Sequence, residues 1–406
     1  MTAEPFTPLA ASPAANLPVV TLRRARPVLL LGTSSDHKNI LWRTRFRSPD
    51  PVVVIDEGAR GVTLWVNPME LGRARREAHV SRVRSWSELT VAPGSGASGI
   101  LAAILREHGL VSVDVEASFP ALAADELRCA GIEVRPQAHL YERRRRIKTQ
   151  REILAIKEVM DAGQDALQRA LDLIAAATIA DGVLWHDGRE LTSTDLIRTV
   201  EMRLLELGCG AEDTICCGSP ESADPHRAAS DVLRVGLPIV LDIFPHSKRT
   251  GYWGDMTRTV VRGTPDPEVK RMYAAVREAQ QAALDAVRPG VSGRAIHGIV
   301  CDVLARHGYG STTPGYDHIT SNARMLHGTG HGVGLDIHEL PSIAQTLADT
   351  PLEVGDVITI EPGLYDPALG GIRIEDTVVV TRDGYRQLTS LGKVLELDAP
   401  APLSKG

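Results

Sequence analysis

The sequence predicts two domains, an α/β domain at the N-terminus followed by an α+β domain. The chain has 406 residues, which is more than one hydrophobic core usually serves. Its first third alternates short apolar runs with helical stretches, as α/β sheet domains do. The remainder carries long amphipathic helices separated by strands. We therefore expect those helices to back a curved, largely antiparallel sheet.

The N-terminal domain is expected over residues 22–140, after a flexible Pro- and Ala-rich arm at 1–21. The segment 98–109 predicts a helix that ends at Gly109. Four apolar runs predict buried strands: 27–32, 51–56, 62–67 and 111–116. The sequence of this domain contains no ligand cluster or phosphate loop, so we expect the domain to shape or gate a site elsewhere in the protein.

A basic run, ERRRRIK at 142–148, marks the junction, and we assign 141–150 as a linker. The formal net charge of the chain is −6, which gives no reason to expect nucleic acid as a partner. We therefore interpret the run as a solvated linker or domain-interface face rather than as a nucleic-acid contact.

The C-terminal domain is expected over residues 151–406. Apolar residues at helical spacing predict four long helices: 152–174, 193–208, 268–287 and 292–308. The segment 178–193 is interpreted as an irregular surface loop, although its Trp185 and His186 offer contacts for a substrate or a partner subunit.

Side chains that bind metals lie in order along this domain: Asp242, Asp255, His331, Glu361 and Glu375. A hairpin would bring Asp242 and Asp255 together, and Glu361 follows a predicted strand. Four carboxylates and one imidazole are too many donors for one tetrahedral zinc, but they suit two ions that share bridging carboxylates. Such a pair generates hydroxide from water at neutral pH, which indicates metal-assisted hydrolysis.

The Gly-rich segment 327–341 supplies His327, His331 and His338. A phosphate loop would require a Lys, and a zincin helix would require a second His in register after His338. Neither is present, so we favour a metal or substrate site. Arg373 lies two residues before Glu375 on the same strand face. It could form an ordinary ion pair, but we favour a bond that orients Glu375 as a metal ligand.

These motifs resemble those of the pita-bread metallopeptidases of family M24, which contains methionine aminopeptidase, aminopeptidase P and prolidase. The matching segments are LDIF, GYWGDMTRT, HGTGHGVGLDIHE, TIEPGLY and GIRIEDTVVV. They cover about residues 150–395 and present all five ligands in the family's order. The N-terminal domain, with KNILWRTRF at 38–46, is more weakly similar to the creatinase/prolidase N-terminal domain and favours the proline-specific branch.

The resemblance implies a pita-bread catalytic domain with two divalent metal ions, Mn²⁺, Co²⁺ or Zn²⁺, and commonly a homodimer. It implies a prolidase, an Xaa-Pro dipeptidase in which a metal-bridging hydroxide attacks the bond before proline. Aminopeptidase P, which acts on longer peptides, is the alternative, and a non-catalytic pita-bread binding protein is a remote one.

The resemblance also implies roles for individual residues. Glu361 would handle the proton of the attacking water, and His226 and His338 would contact the substrate and stabilise the tetrahedral intermediate. His327, Arg373 and Tyr252 are expected to bind substrate or to orient the ligands.

Composition and the N-terminal sequence lead us to expect the protein in the cytoplasm. Apolar residues make up 43% and charged residues 24% of the chain, as in globular proteins. The N-terminus lacks signal-peptide features, and no segment approaches the ~20 apolar residues that cross a bilayer. The five cysteines form no C-x-x-C pair and are expected to stay reduced. We expect proline-containing dipeptides or short peptides as partners, and neither membrane nor nucleic acid.

Overall fold

The structure is a computed structural model that describes residues 26–91, 96–345 and 350–397. The chain divides into two compact units, one ending at Ala138 and the other beginning at His139. The flexible arm predicted at 1–21 lies outside the described residues. Within the described residues, no helix combines the length and apolar character that crossing a membrane demands.

The first unit is built on a mixed six-stranded sheet with strand order β4-β3-β2-β1-β5-β6. The predicted strands and helix are confirmed. The strands are β1 (Val28–Gly32), β2 (Val52–Asp56), β3 (Val62–Val66), β4 (Arg82–Ser85), β5 (Ser112–Glu116) and β6 (Glu133–Gln137). The helices are α1 (Lys38–Thr44), α2 (Leu71–Glu77), α3 (Gly96–Glu107) and α4 (Ala121–Cys129).

The second unit contains the long helices that the apolar spacing predicts, with each boundary within two residues of the expected one. They are α6 (Gln150–Ala176), α7 (Ser193–Glu206), α8 (Pro267–Ala286) and α9 (Gly293–Arg306), and a short helix that was not predicted, α5 (Glu142–Arg146), precedes them. Capping boxes begin two of them: Thr149 with Glu152 on α6, and Thr192 with Asp195 on α7. The apolar face of α6 packs into the larger of the two hydrophobic cores of this unit.

Strands between these helices are largely antiparallel, as predicted, and form three larger sheets and a two-stranded one, β10-β13. The orders of the larger sheets are β11-β12-β14-β24, β18-β17-β19-β22-β23 and β15-β16-β20-β21. The strands from β10 to β17 are β10 (Cys209–Gly210), β11 (Ile215–Gly218), β12 (Ile239–Ile243), β13 (His246–Ser247), β14 (Met256–Arg262), β15 (Gly310–Ser311), β16 (Arg324–Met325) and β17 (Gly330–Gly332). The later strands are β18 (Glu339–Ile343), β19 (Val357–Ile360), β20 (Gly363–Asp366), β21 (Gly370–Arg373), β22 (Asp376–Thr381), β23 (Gly384–Gln387) and β24 (Glu396–Leu397).

The irregular loop predicted at 178–193 is wrong, because this segment is an antiparallel meander. Its strands are β7 (Thr178–Ala180), β8 (Val183–His186) and β9 (Arg189–Glu190). Two Asp-Gly pairs close its hairpins, and all four of these residues adopt positive φ. This is the conformation of the tight primed turns that join neighbouring strands, so the two Asp-Gly pairs were the hairpin signal.

The prediction that the basic run forms a solvated face is wrong for three of its residues. Arg145, Arg146 and Lys148 are each only 5% exposed, whereas Arg143 and Arg144 are exposed. The buried cations pair with acids about 200 positions further along the chain: Asp336, Glu339 and Asp356. Sequence proximity could not indicate these partners.

Candidate metal centre

The β12–β14 hairpin brings the first two predicted ligands to one place. The strands are antiparallel and pair Asp242 with Thr257, while Asp255 lies directly before β14. The hydroxyl oxygen of Thr257 lies 2.8 Å from Asp242 Oδ1 and 2.7 Å from Glu375 Oε2. The Thr259 hydroxyl donates to the carbonyl oxygen of Arg373 at 2.9 Å. Thr257 and Thr259 therefore lie on the face of β14 that meets the segment from Arg373 to Glu375.

His331 joins this group from β17. Its Nε2 lies 3.5 Å from Asp255 Oδ2 and 3.3 Å from Glu361 Oε1. A Cβ on Gly330 would overlap the carbonyl oxygen of Thr359, so glycine permits the close approach of β17 to β19. Ligand atoms of Asp255, His331 and Glu375 all lie within 4.8 Å of one another. All five predicted ligands line one cavity of about 540 Å³.

The charges in this cavity are unbalanced. Burial raises the pKa of Glu375, and the neighbouring Asp255 raises it further; burial and Asp242 likewise raise the pKa of Asp255. Oε1 of Glu375 is buried without a hydrogen-bond partner in the described structure. A divalent cation would provide that oxygen with a partner and the carboxylates with a counter-charge. The residues present therefore fit a metal site.

Glu361 and His331, two of the five predicted ligands, stabilise each other's charged form. Burial opposes the charged form of both, but their hydrogen bond and the attraction between their opposite charges, together with neighbouring charges, outweigh it. The pKa of Glu361 falls to about 2, and the pKa of His331 rises to about 9. Glu361 therefore remains ionised at neutral pH.

A chain of polar side chains borders the carboxylates. Arg373 donates from Nη2 to Asp242 Oδ2 at 2.6 Å and from Nη1 to Tyr365 Oη at 2.7 Å. Tyr365 Oη also lies 2.7 Å from His327 Nε2, and burial lowers the pKa of His327. Sequence reasoning missed Tyr365. No sequence pattern relates it to Glu361, because Glu361 follows β19 and Tyr365 lies on the next strand, β20.

His226 and His338 also line the cavity. The His338 ring meets the His331 ring edge to face at 4.3 Å between centroids. Burial, together with the nearby His331, lowers the pKa of His338. His226 is exposed. Apolar side chains complete the wall: Ile215, Phe244 and Ile337.

Tyr252 is not brought to this cavity, in contrast to the role expected for it. It packs against the larger core, and its hydroxyl donates to Glu152 Oε1 at 2.7 Å, in the first turn of α6. That bond ties the hairpin loop to the helix.

Comparison with known proteins places this site in a family. The sequence profile described as metallopeptidase family M24 matches residues 154–382, more than half of the chain. The chain belongs to family M24. The resemblance drawn from the motifs is thus confirmed, and a metallopeptidase is the class of enzyme it indicates.

Individual M24 relatives agree with this assignment. The Xaa-Pro dipeptidase of Pyrococcus horikoshii is 33% identical over 298 residues, 71% of this chain and 76% of that protein. The structure of the Xaa-Pro dipeptidase from Bacillus anthracis superposes with a TM-score of 0.76 at 26% identity, covering 91% and 94% of the two chains. The X-Pro aminopeptidase from Thermotoga maritima, with a TM-score of 0.75 at 24% identity over 91% and 97%, shows the same fold. The pita-bread fold is confirmed.

Proposed function

We propose that this M24 protein is an Xaa-Pro dipeptidase that uses two divalent ions to hydrolyse the bond before proline. The observation that supports this most directly is the cavity, where five ligand-type side chains converge and one Glu375 oxygen has no hydrogen-bond partner among the described residues. The similarity to Xaa-Pro dipeptidases supports the choice of substrate.

The donor set supports two ions, for which we propose Mn²⁺, Co²⁺ or Zn²⁺. Asp255 and His331 would hold one ion, and Asp242, Glu361 and Glu375 would complete the ligand set for the pair. Ions held there would polarise the scissile carbonyl and lower the pKa of water.

The protein's own groups would move the protons and stabilise the developing charge. Ionised Glu361 would accept a proton from the attacking water as the oxygen bonds to the scissile carbon. His338 would donate a hydrogen bond to the carbonyl oxygen as its negative charge develops, assisted by His226 at the exposed side of the cavity. The carbon–nitrogen bond then breaks, and the proton passes to the proline nitrogen, which has no hydrogen of its own while in the peptide bond.

One observation favours aminopeptidase P as the second candidate. A dipeptidase must bind the free carboxylate of proline. Arg373 is the only Arg or Lys among the described residues that line the cavity, and its guanidinium already donates to Asp242 and Tyr365. A longer peptide would carry its carboxylate elsewhere and would require no such cation.

The proposed chemistry is tested with Ala-Pro as substrate after the protein is loaded with Mn²⁺. We expect His331→Ala and Glu375→Ala to abolish turnover, while His318→Ala, an exposed histidine outside the cavity, leaves it unchanged. Retained turnover in either ligand variant would contradict the proposal. A purified protein that binds no divalent ion under any loading would favour the non-catalytic binding module.

Peptide length separates the two candidate peptidases. Ala-Pro and Ala-Pro-Ala are compared by kcat/KM on the same metal-loaded sample. Preference for Ala-Pro supports the dipeptidase, and preference for Ala-Pro-Ala supports aminopeptidase P.

Location and assembly belong to the same proposal. All five cysteines are unpaired, which is usual in a reducing compartment, and we propose the cytoplasm. The homodimer common in the family is the proposed assembly.

A further inference from the structure

The basic run at 142–148 contributes no proposed metal ligand, but two of its residues contact the turn that carries His338. We propose that Arg145 and Lys148 are positioning residues, which act through Glu339 on the turn that carries His338. The inference rests on the proposed function, in which His338 stabilises the developing oxyanion. Its geometry lies entirely within the second unit.

The carboxylate of Glu339 lies inside the turn formed by residues 334–338. Its Oε1 accepts hydrogen bonds from the backbone N–H groups of Leu335 at 2.9 Å and Asp336 at 3.1 Å. The Glu339 side chain is only 7% exposed. A buried carboxylate that accepts two backbone hydrogen bonds fixes the path of the chain between them.

Two cations from the basic run hold this carboxylate in place. Lys148 Nζ donates to Glu339 Oε2 at 3.1 Å, and Arg145 pairs with Glu339 Oε1. Arg145 also donates from Nη2 to Asp336 Oδ2 at 2.6 Å, so one guanidinium binds two acids of the turn. Loss of either cation would leave a buried carboxylate short of counter-charge, a state that proteins avoid by moving the group toward water.

Movement of Glu339 would be transmitted directly to the cavity. Ile337 and His338 immediately precede it, and both line the cavity. The His338 ring packs 4.3 Å from the ring of the proposed ligand His331. A displacement of about 1 Å at a catalytic group can lower the rate ~100-fold. Arg145 and Lys148 would therefore affect turnover without touching the substrate.

The adjacent Arg146 provides a matched control. It is as buried as Arg145, at 5% exposure, and is likewise paired with an acid. Its partner, however, is Asp356, reached at 2.6 Å from both Nε and Nη2, together with the carbonyl oxygen of Pro351. These groups lie at the start of β19, at the opposite end of that strand from Glu361. Substitution of Arg146 thus perturbs a buried ion pair of the same kind outside the turn.

The experiment compares three methionine variants of the full-length, Mn²⁺-loaded protein: Arg145→Met, Arg146→Met and the exposed Arg143→Met. We expect Arg145→Met to lower kcat for Ala-Pro by roughly 10- to 100-fold, with a smaller change in KM. Arg145→Lys should restore part of this loss, because the charge returns. Arg146→Met should lower Tm but leave kcat at 25 °C near wild type, and Arg143→Met should change neither.

Imidazole NMR with ¹⁵N-labelled histidine distinguishes this inference from the proposed function. In the metal-free protein, where no paramagnetic Mn²⁺ broadens the signals, the His338 resonances, assigned with His338→Gln, should shift in Arg145→Met and Lys148→Met but not in Arg146→Met. Equal kcat in the Arg145 and Arg146 variants with unmoved His338 resonances would overturn the inference. A wild-type protein inactive on Ala-Pro would overturn the proposed function alone, because the NMR comparison requires no substrate. If Arg145→Met does not fold, Lys148→Met gives both readouts.

Discussion

Glu375 and Asp376 are consecutive, fully buried acids whose surroundings differ completely. The carboxylate of Asp376 lies 2.9 Å from Arg258 Nη2 and 2.5 Å from Lys393 Nζ. Gln280 also donates to it at 3.4 Å. Glu375 turns to the cavity instead, where Oε1 has no partner in the described structure. Its pKa is raised by burial and by Asp255.

The contrast separates two uses of a buried carboxylate. A buried charge that has cationic and hydrogen-bonding partners is stable within the fold, as at Asp376. One surrounded by other acids is stable only when protonated or when a cation binds, as at Glu375, and such groups cluster at functional sites. Neighbouring positions in the chain thus support the core and the cavity separately.

The largest expected effect comes from neutralising each acid in turn. Glu375→Gln should lower Ala-Pro turnover by roughly a thousandfold or more, because loss of a ligand removes several kcal/mol of transition-state stabilisation. It should not lower the stability of the metal-free protein, since it relieves repulsion between acids. Asp376→Asn should instead cost about 3–5 kcal/mol in free energy of unfolding, because Arg258 loses its partner. Turnover and urea unfolding measure the two effects, and similar profiles for both variants would contradict the comparison.

The same pair shows how far sequence reasoning reaches. The alternation in GIRIEDTVVV predicts that Glu375 and Asp376 face opposite sides, and the family's motifs select Glu375 as the ligand. The role of Asp376 could not be predicted, because Arg258 and Lys393 come from distant segments. Arg145 was misassigned for this reason, since its partner Glu339 lies 194 positions away.

Tyrosines at the site illustrate a second limit. Tyr252 was expected there because it lies within the Asp255 motif, but Trp253 and Gly254 separate the two, and its hydroxyl binds Glu152. Tyr365 was overlooked because it lies on β20, beyond the Pro362 that follows Glu361, and only the fold brings its hydroxyl to Arg373 and His327. Proximity within a motif is therefore an unreliable guide to which side chains reach the site.

The second effect is a pH dependence of metal-free stability. The raised pKa values of Asp255 and Glu375 mean that the folded state retains protons which the unfolded chain loses. The stability that Asp255 and Glu375 contribute in their protonated form is therefore lost as pH rises through their raised pKa values. His331, with its pKa raised to about 9, acts in the same direction between pH 6.5 and 9. We expect the Tm of EDTA-treated protein to fall from pH 5 to pH 9, and Mn²⁺ to reduce the fall.

Glu375→Gln is the control for this dependence. It removes one of the titrating acids, so its metal-free Tm should fall less steeply with pH than that of the wild type. Identical slopes for the two proteins would show that the cavity acids do not determine the dependence.

The smallest effect tests the side chains that orient the carboxylates. The Thr257 hydroxyl contacts both Asp242 and Glu375, whereas the Thr259 hydroxyl, two residues along the same face, donates to the backbone of Arg373. Thr257→Val should weaken Mn²⁺ binding or lower turnover by about 10- to 100-fold, because second-sphere partners fix ligand geometry. Thr259→Val should lower Tm with less change in Mn²⁺ affinity, since it loses a backbone bond. Calorimetric Mn²⁺ titration of both variants measures the difference, and equal affinities would mean that the carboxylates hold their geometry without Thr257.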